Sequence, residues 1–385
     1  MKFSYNPSVF LCLTAISLII VSGCTNNVET LFESFADWKQ ANSIDTQQEC
    51  DPVKESVSFT SNTLMINGIA KSMSGDLDAI DAQIDWINED LVWLTGASVQ
   101  VISENEDIAA SDEFLCHSLV NLHRNNTLPW KVLTKGTDKR LFTFSQGVSQ
   151  VNFPEGFAIP ILASTKLNLG NQVLNLTKPE LKSKVEFQID INYLKIGSQC
   201  KTPTVLYQQP VFVTKHTGGP IGAYNAQGSL LRNNTSSPVH FYDTSFAHCG
   251  ITYDEGYNPY GDNYGRKFTG HWSVAEDSLE VIATNVTPML DLKKNTKIHT
   301  ISMHVHPHAH SLELIDKTTN TSLYRGMVHY ANQDLRRIIS LDYYNSKEGI
   351  ELFKDHEYQL VSTYINPKEE TGITAMATLF LYLAE

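Results

Sequence analysis

From about Val57 to the C-terminus, apolar and polar positions alternate with the period of a strand. Ile80, Ala82, Ile84 and Trp86 alternate with Asp81, Gln83 and Asp85. Val185, Phe187, Ile189, Ile191 and Tyr193 alternate with Glu186, Gln188, Asp190 and Asn192. Successive side chains of a strand point to opposite faces, so these segments predict half-solvated strands of antiparallel sheets, one face on a core. Helical spacing is almost absent beyond residue 60. It is clear only at Leu31, Phe35 and Trp38, which predict a short amphipathic helix. Gly, Pro, Asn and Asp interrupt the alternation at short intervals. The pattern predicts an all-β chain of two tandem antiparallel β-sandwich domains of jelly-roll type.

The boundaries follow from where alternation starts and lapses. Residues 24–75 read as a tether and spacer, 76–210 as the first sandwich and 211–385 as the second. Within the second, residues 216–265 are rich in Gly, Asn, Tyr and Ser and predict a loop-rich insertion. Ahead of all this, Lys2 precedes an apolar run from Val9 to Ile20, which is short for a membrane span and fits a signal-peptide core. Val21-Ser22-Gly23-Cys24 follows and resembles a bacterial lipobox. This implies a signal peptide over 1–23, a lipidated Cys24 and a cell-envelope location. Thr25 after the cysteine leans towards the outer membrane, facing the periplasm or the exterior. The membrane is then a partner through the lipid. The net charge of −13 argues against nucleic acid and against polybasic attachment to anionic lipid.

The chemistry concentrates in Lys297–His310. Ile301, Met303 and Val305 alternate with Ser302, His304 and His306, and Pro307 should end the strand. Residues i and i+2 share a face, so His304 and His306 present two imidazoles side by side, the start of a metal site or a polar strand end in water. No Ser-His-Asp, nucleotide-binding or paired-carboxylate signature stands out.

Four motifs carry a resemblance: His304-Val305-His306, Ser311-Leu312-Glu313-Leu314-Ile315-Asp316, Asp355-His356-Glu357-Tyr358 and Ala375-Met376-Ala377-Thr378-Leu379-Phe380-Leu381-Tyr382. In order and separation, this third of the chain resembles the catalytic domain of copper type II, ascorbate-dependent monooxygenases. That group contains peptidylglycine α-hydroxylating and dopamine β-monooxygenase, and the bacterial relatives are most similar. Upstream, Leu91–Gly96, Glu113–His117, Phe153–Pro160 and Gln172–Asn175 resemble blocks of those relatives' first domain. The resemblance implies an oxygen-binding copper on His304, His306 and Met376, with O2 and an external reductant such as ascorbate. Two imidazoles and a thioether are a soft, low-coordinate set that suits copper in both oxidation states. His271, in Gly270-His271-Trp272, resembles a recurring feature of the relatives and is a further candidate.

The departures are as informative. The resemblance places a second, electron-transferring copper on an adjacent histidine pair and a third histidine, but here those positions hold Cys116-His117 and Leu174. Either one copper remains, or a remodelled site recruits Cys116, His117 and another donor such as His123. For Cys116 the expectation is a disulfide ahead of ligation. Cys50, Cys116, Cys200 and Cys249 allow up to two bridges whose pairing stays open. Where the peptide-hydroxylating members hold a substrate carboxylate, this chain has Ser302, Thr378 and Phe380, so peptidylglycine is not the expected substrate. Two functions are therefore expected. The first is a copper-dependent monooxygenase-like enzyme hydroxylating a small molecule of unknown identity. The alternative is a non-catalytic lipoprotein that buffers, delivers or senses copper. A β-sandwich interaction module with a vestigial site is a third.

Overall fold

The strand Lys182–Lys195 buries Val185, Phe187, Ile189, Ile191 and Tyr193 and turns the intervening polar residues outward, as its alternation predicts. It pairs on one side with Val53–Thr60 and on the other with Leu91–Ile102, both antiparallel. A computed structural model describes residues 34–41, 51–72, 74–84, 91–104, 111–123, 139–196, 200–218, 258–261, 265–331, 334–367 and 373–385. Cys24, Cys50, Cys249 and most of the 216–265 insertion lie outside the described residues.

The chain is an all-β sandwich protein. In the first lobe, the sheet Leu77–Gln83, Lys166–Val173, Leu115–Leu122, Arg140–Ser145 packs on part of a ten-stranded sheet. In the second, the sheet Ser278–Asn285, Tyr358–Asn366, Ala309–Asp316, Thr321–Tyr330, Ile338–Leu341 packs on the other part. The ten-stranded sheet runs through both lobes. Its lobes join where Thr204–Phe212 meets Phe157–Leu162 in a short parallel pairing, Thr204 with Phe157 and Val205 with Ala158. The division expected near residue 210 falls inside that strand, whose longer ladder is with the C-terminal strand Ala377–Ala384.

The tether and spacer assigned to 24–75 needs correction. Val53–Thr60 and Leu64–Asn67 are strands paired with Lys182–Lys195, so the first lobe begins near Val53. Val53–Thr60 is an edge strand in which only Val57 and Phe59 pack on the core, so its Lys, Glu and Ser positions read as a polar linker. Ahead of it, the helix Phe35–Ala41 buries Phe35 and Trp38, and Phe35 meets the Trp93 ring edge-on at 5.5 Å. Among the described residues no helix is long and apolar enough to cross a membrane.

Candidate metal centre

The strand Thr296–Val305 lies between Ala377–Ala384 and Tyr344–Leu352, with His304 opposite Thr378 and Ser302 opposite Phe380. Its apolar face holds Met303, whose Sδ lies 3.3 Å from Tyr324 Oη of the five-stranded sheet. Its polar face is also buried: Thr300, Ser302, His304 and Thr378 are all inside. That face is covered by the first lobe, where the Arg140 guanidinium lies 6.0 Å from the Phe380 ring and Tyr382 Oη donates to Leu141 O at 3.0 Å. A strand read as half-solvated is thus enclosed on both sides, and its histidines do not face water.

The strand ends at Val305, ahead of Pro307, and the chain turns through His306 and His308. The His306 N–H donates to Met376 O at 3.2 Å. Its Nδ1 lies 3.2 Å from Thr374 O, an atom that can only accept, so Nδ1 carries the proton in the neutral ring. Its Nε2 is left as an acceptor, 2.9 Å from Ser72 Oγ. A ring nitrogen tied to a backbone carbonyl, with the other aimed at a cavity, is the usual support of a metal-binding histidine. His308 adopts a left-handed φ of 74°, uncommon for a residue with a Cβ. Bonds on both sides hold it: its N–H donates to Leu335 O at 3.0 Å and its carbonyl accepts from Ile365 N at 2.9 Å.

His304 is 3% exposed, and neither of its ring nitrogens has a hydrogen-bond partner. A buried polar atom without a partner costs about 1–3 kcal/mol, so two on one ring mark an expensive residue. The His304 and His306 rings stand 5.8 Å apart and perpendicular, and the His271 ring lies 5.6 Å from that of His306. Burial, and then the charge of its neighbour His306, holds His304 well below the ordinary imidazole range. Burial, and then His271, pushes His306 down to about 4. Burial also lowers His271. All three are therefore neutral near pH 7, the form whose lone pairs bind metals.

Met376 sits between the short strand Thr374–Ala375 and Ala377–Ala384, directly across from His306. Tyr364 Oη donates to its carbonyl at 2.5 Å and fixes the backbone there. Met376 is buried yet stands outside the contiguous apolar core that Ala375 and Ala377 join. His271 is brought alongside by the pairing of Trp272 with Ala375. From the first lobe, Cys116 and Leu174 line the same cavity, of about 210 Å³, as His304, His306 and His308. His117 is fully buried beside them and adds to the field disfavouring a charge on His304. His304 and His306 of one set singled out by the resemblance, and Cys116 and Leu174 of the other, therefore share a cavity between the lobes, while Met376 and His117 are buried behind its wall.

Several expectations are corrected here. Cys116 carries a thiol and is not in a disulfide. Cys200 is disulfide-bonded, to a residue outside the described ones. His123 faces Asp81 at 3.5 Å and takes no part in the cavity. His310 is exposed. His356 bonds Asp316 at 2.7 Å, away from the cavity. Among the described residues, no three His, Cys, Asp or Glu side chains are gathered closely enough to hold a metal unaided. Ser72 and Thr374 were not foreseen, since a serine in a turn and a backbone carbonyl leave no sequence signal.

No family model and no curated protein sequence matches the chain. Solved structures with similar folds include a peptide-N(4)-(N-acetyl-β-D-glucosaminyl)asparagine amidase, at 9% identity and a TM-score of 0.32 over 86% of this chain and 96% of that one. They also include Sulfolobus Turreted Icosahedral Virus, at 10% identity and a TM-score of 0.32 over 86% of this chain and 91% of that one. Likenesses this loose carry no argument about function.

Proposed function

We propose that this chain is a copper-binding lipoprotein of the cell envelope, anchored at Cys24, that acts as a monooxygenase-like oxidoreductase. The observation that carries the reading is the state of the two strand-end histidines. His304 is neutral, buried and without hydrogen bonds on either nitrogen, and His306 is locked by Thr374 with Nε2 facing the cavity. Both fit a soft metal ion, and no hydrogen bond accounts for the burial of the His304 ring. Met376, across the ladder from His306, would add a thioether.

Bound there, copper would supply one-electron chemistry with O2 and an external reductant such as ascorbate. The protein's own contributions are binding and exclusion. The Thr374 carbonyl orients His306, Tyr364 holds the backbone of Met376, and the first lobe keeps bulk water from His304. A cavity of about 210 Å³ leaves room for a small substrate. Ser302 and Thr378 lie on the polar face, and neither hydroxyl has a hydrogen-bond partner.

The alternative, copper buffering or delivery without turnover, is favoured by the replacement of two positions of the second site by Cys116 and Leu174. Copper stoichiometry on the loaded protein, followed by O2 consumption with ascorbate, separates the two. One copper per chain with ascorbate-dependent O2 uptake supports the enzyme, and one copper without uptake supports the carrier. A chain that binds no copper overturns both.

A further inference from the structure

The sheet of the first lobe breaks register at one residue beside the cavity. Leu115 pairs with Val173 and His117 with Gln172, which leaves Cys116 as the extra residue of a bulge. A bulge re-aims the side chain it carries, and bulges recur next to functional sites. Here it brings a thiol, outside any disulfide, to the wall shared with His304 and His306. A cysteine serving only as a small apolar filler needs no such device. The thiol contacts Ser72 Oγ at 3.8 Å, and the same hydroxyl lies 2.9 Å from His306 Nε2. One small hydroxyl therefore stands between a sulfur and an imidazole nitrogen. Independently, His304 lines this cavity at 3% exposure with both ring nitrogens unbonded.

We infer that Cys116 is a ligand of the copper held by His304 and His306, its thiolate reaching the metal from the facing lobe as the Ser72 hydroxyl is displaced. The inference rests on the copper reading above and adds a donor to it. On binding, the metal replaces the thiol proton, which leaves to solvent, and copper keeps its oxidation state. Two imidazoles, a thiolate and a weaker thioether form the donor set of blue-copper electron-transfer centres. Cys116 also stands where the resemblance places a ligand of the second copper. The two sites would here be merged into one centre that takes a single electron at a time. On this reading the Ser72 hydroxyl, which contacts both Cys116 Sγ and His306 Nε2, would have to move aside before the two could share a metal.

The test is anaerobic titration of the full chain with Cu(II), read by visible absorption and metal analysis. One copper per chain with intense thiolate-to-copper charge-transfer absorption is expected. Cys116→Ser should keep copper and lose the band. Ser72→Ala should keep the band and bind copper roughly two- to tenfold tighter, because no hydrogen bond must be given up. Co(II) loading of the unsubstituted protein gives a second readout, thiolate-to-cobalt absorption, that depends on no variant. Bound copper without the band, or a band that survives Cys116→Ser, would overturn this inference and leave the copper reading standing. Failure to bind copper at all would overturn both.

Discussion

Ser72 Oγ and His306 Nε2, separated by 234 residues of chain, lie 2.9 Å apart across the two lobes. The bond orients His306 and ties the Ser72 turn of the first lobe to the end of the histidine strand. Replacing Ser72 by Ala should destabilise the metal-free protein by about 0.5–1.5 kcal/mol. Urea denaturation of both proteins in chelator measures it, and copper should narrow the difference, since the loaded protein no longer uses the bond.

The three expected copper ligands should not respond alike. His304→Ala or His306→Ala removes a donor to both oxidation states, so Cu(I) and Cu(II) affinity should fall together. The loss should exceed the roughly 10–100-fold that outer partners of a ligand are worth. Met376→Leu keeps the volume and should cost less than about 1.5 kcal/mol of stability. Its effect should fall mainly on Cu(I), because a thioether is a soft donor. Competition titrations with chelators of each oxidation state check the pattern. Equal losses in all three variants would contradict it.

Gly75 is confined by its neighbours. A Cβ there would run into the backbone carbonyl of Val173, next to Leu174 of the cavity wall. The Gly75 carbonyl also accepts from Gln172 Nε2 at 3.1 Å. Gly75→Ala should therefore shift the turn carrying Ser72 and cost about 1–3 kcal/mol, the usual penalty of overpacking. Thermal denaturation reads the stability, and copper affinity should change with it.

Acid stability should depend on Asp316. Its burial pulls the carboxyl upward, but bonds from His356 and Thr319 outweigh this and leave it below the usual carboxylate range. A depressed carboxyl adds stability that is complete above its unfolded value, about 3.9, and is lost as pH falls through the folded value. Asp316→Asn should flatten this acid limb below about pH 4. At neutral pH the lost charge-assisted bond to His356 should cost about 1.5–3 kcal/mol. Denaturation midpoints from pH 2 to 7 decide it.

Legibility in the sequence followed how local each feature is. Lys182–Lys195 showed its two faces plainly because one meets the core and the other meets water. Thr296–Val305 showed the same alternation for another reason. Its polar face is buried by Arg140, Leu141 and their neighbours, more than 150 residues upstream. The pairing of His304 with His306 was visible because it needs only the period of a strand. The approach of Cys116 was not, because it depends on a bulge and on the docking of two lobes. Nor did the sequence separate the thiol of Cys116 from the disulfide of Cys200, since pairing is settled by distance in space.

The place of Ala377–Ala384 in the large sheet governs the order in which the molecule can be assembled. These last residues lie between Thr204–Phe212 and Thr296–Val305, hydrogen-bonded to both. Until they arrive, two strands that will be central expose unpaired edges, the template for aggregation. Contacts this distant in sequence make the final step slow. Met376 and the Thr374 carbonyl come with that same terminal segment, so the proposed copper site would be completed only when the end of the chain is inserted. A chain shortened by its last ten residues would lose Met376 and the strand that joins Thr204–Phe212 to Thr296–Val305 together.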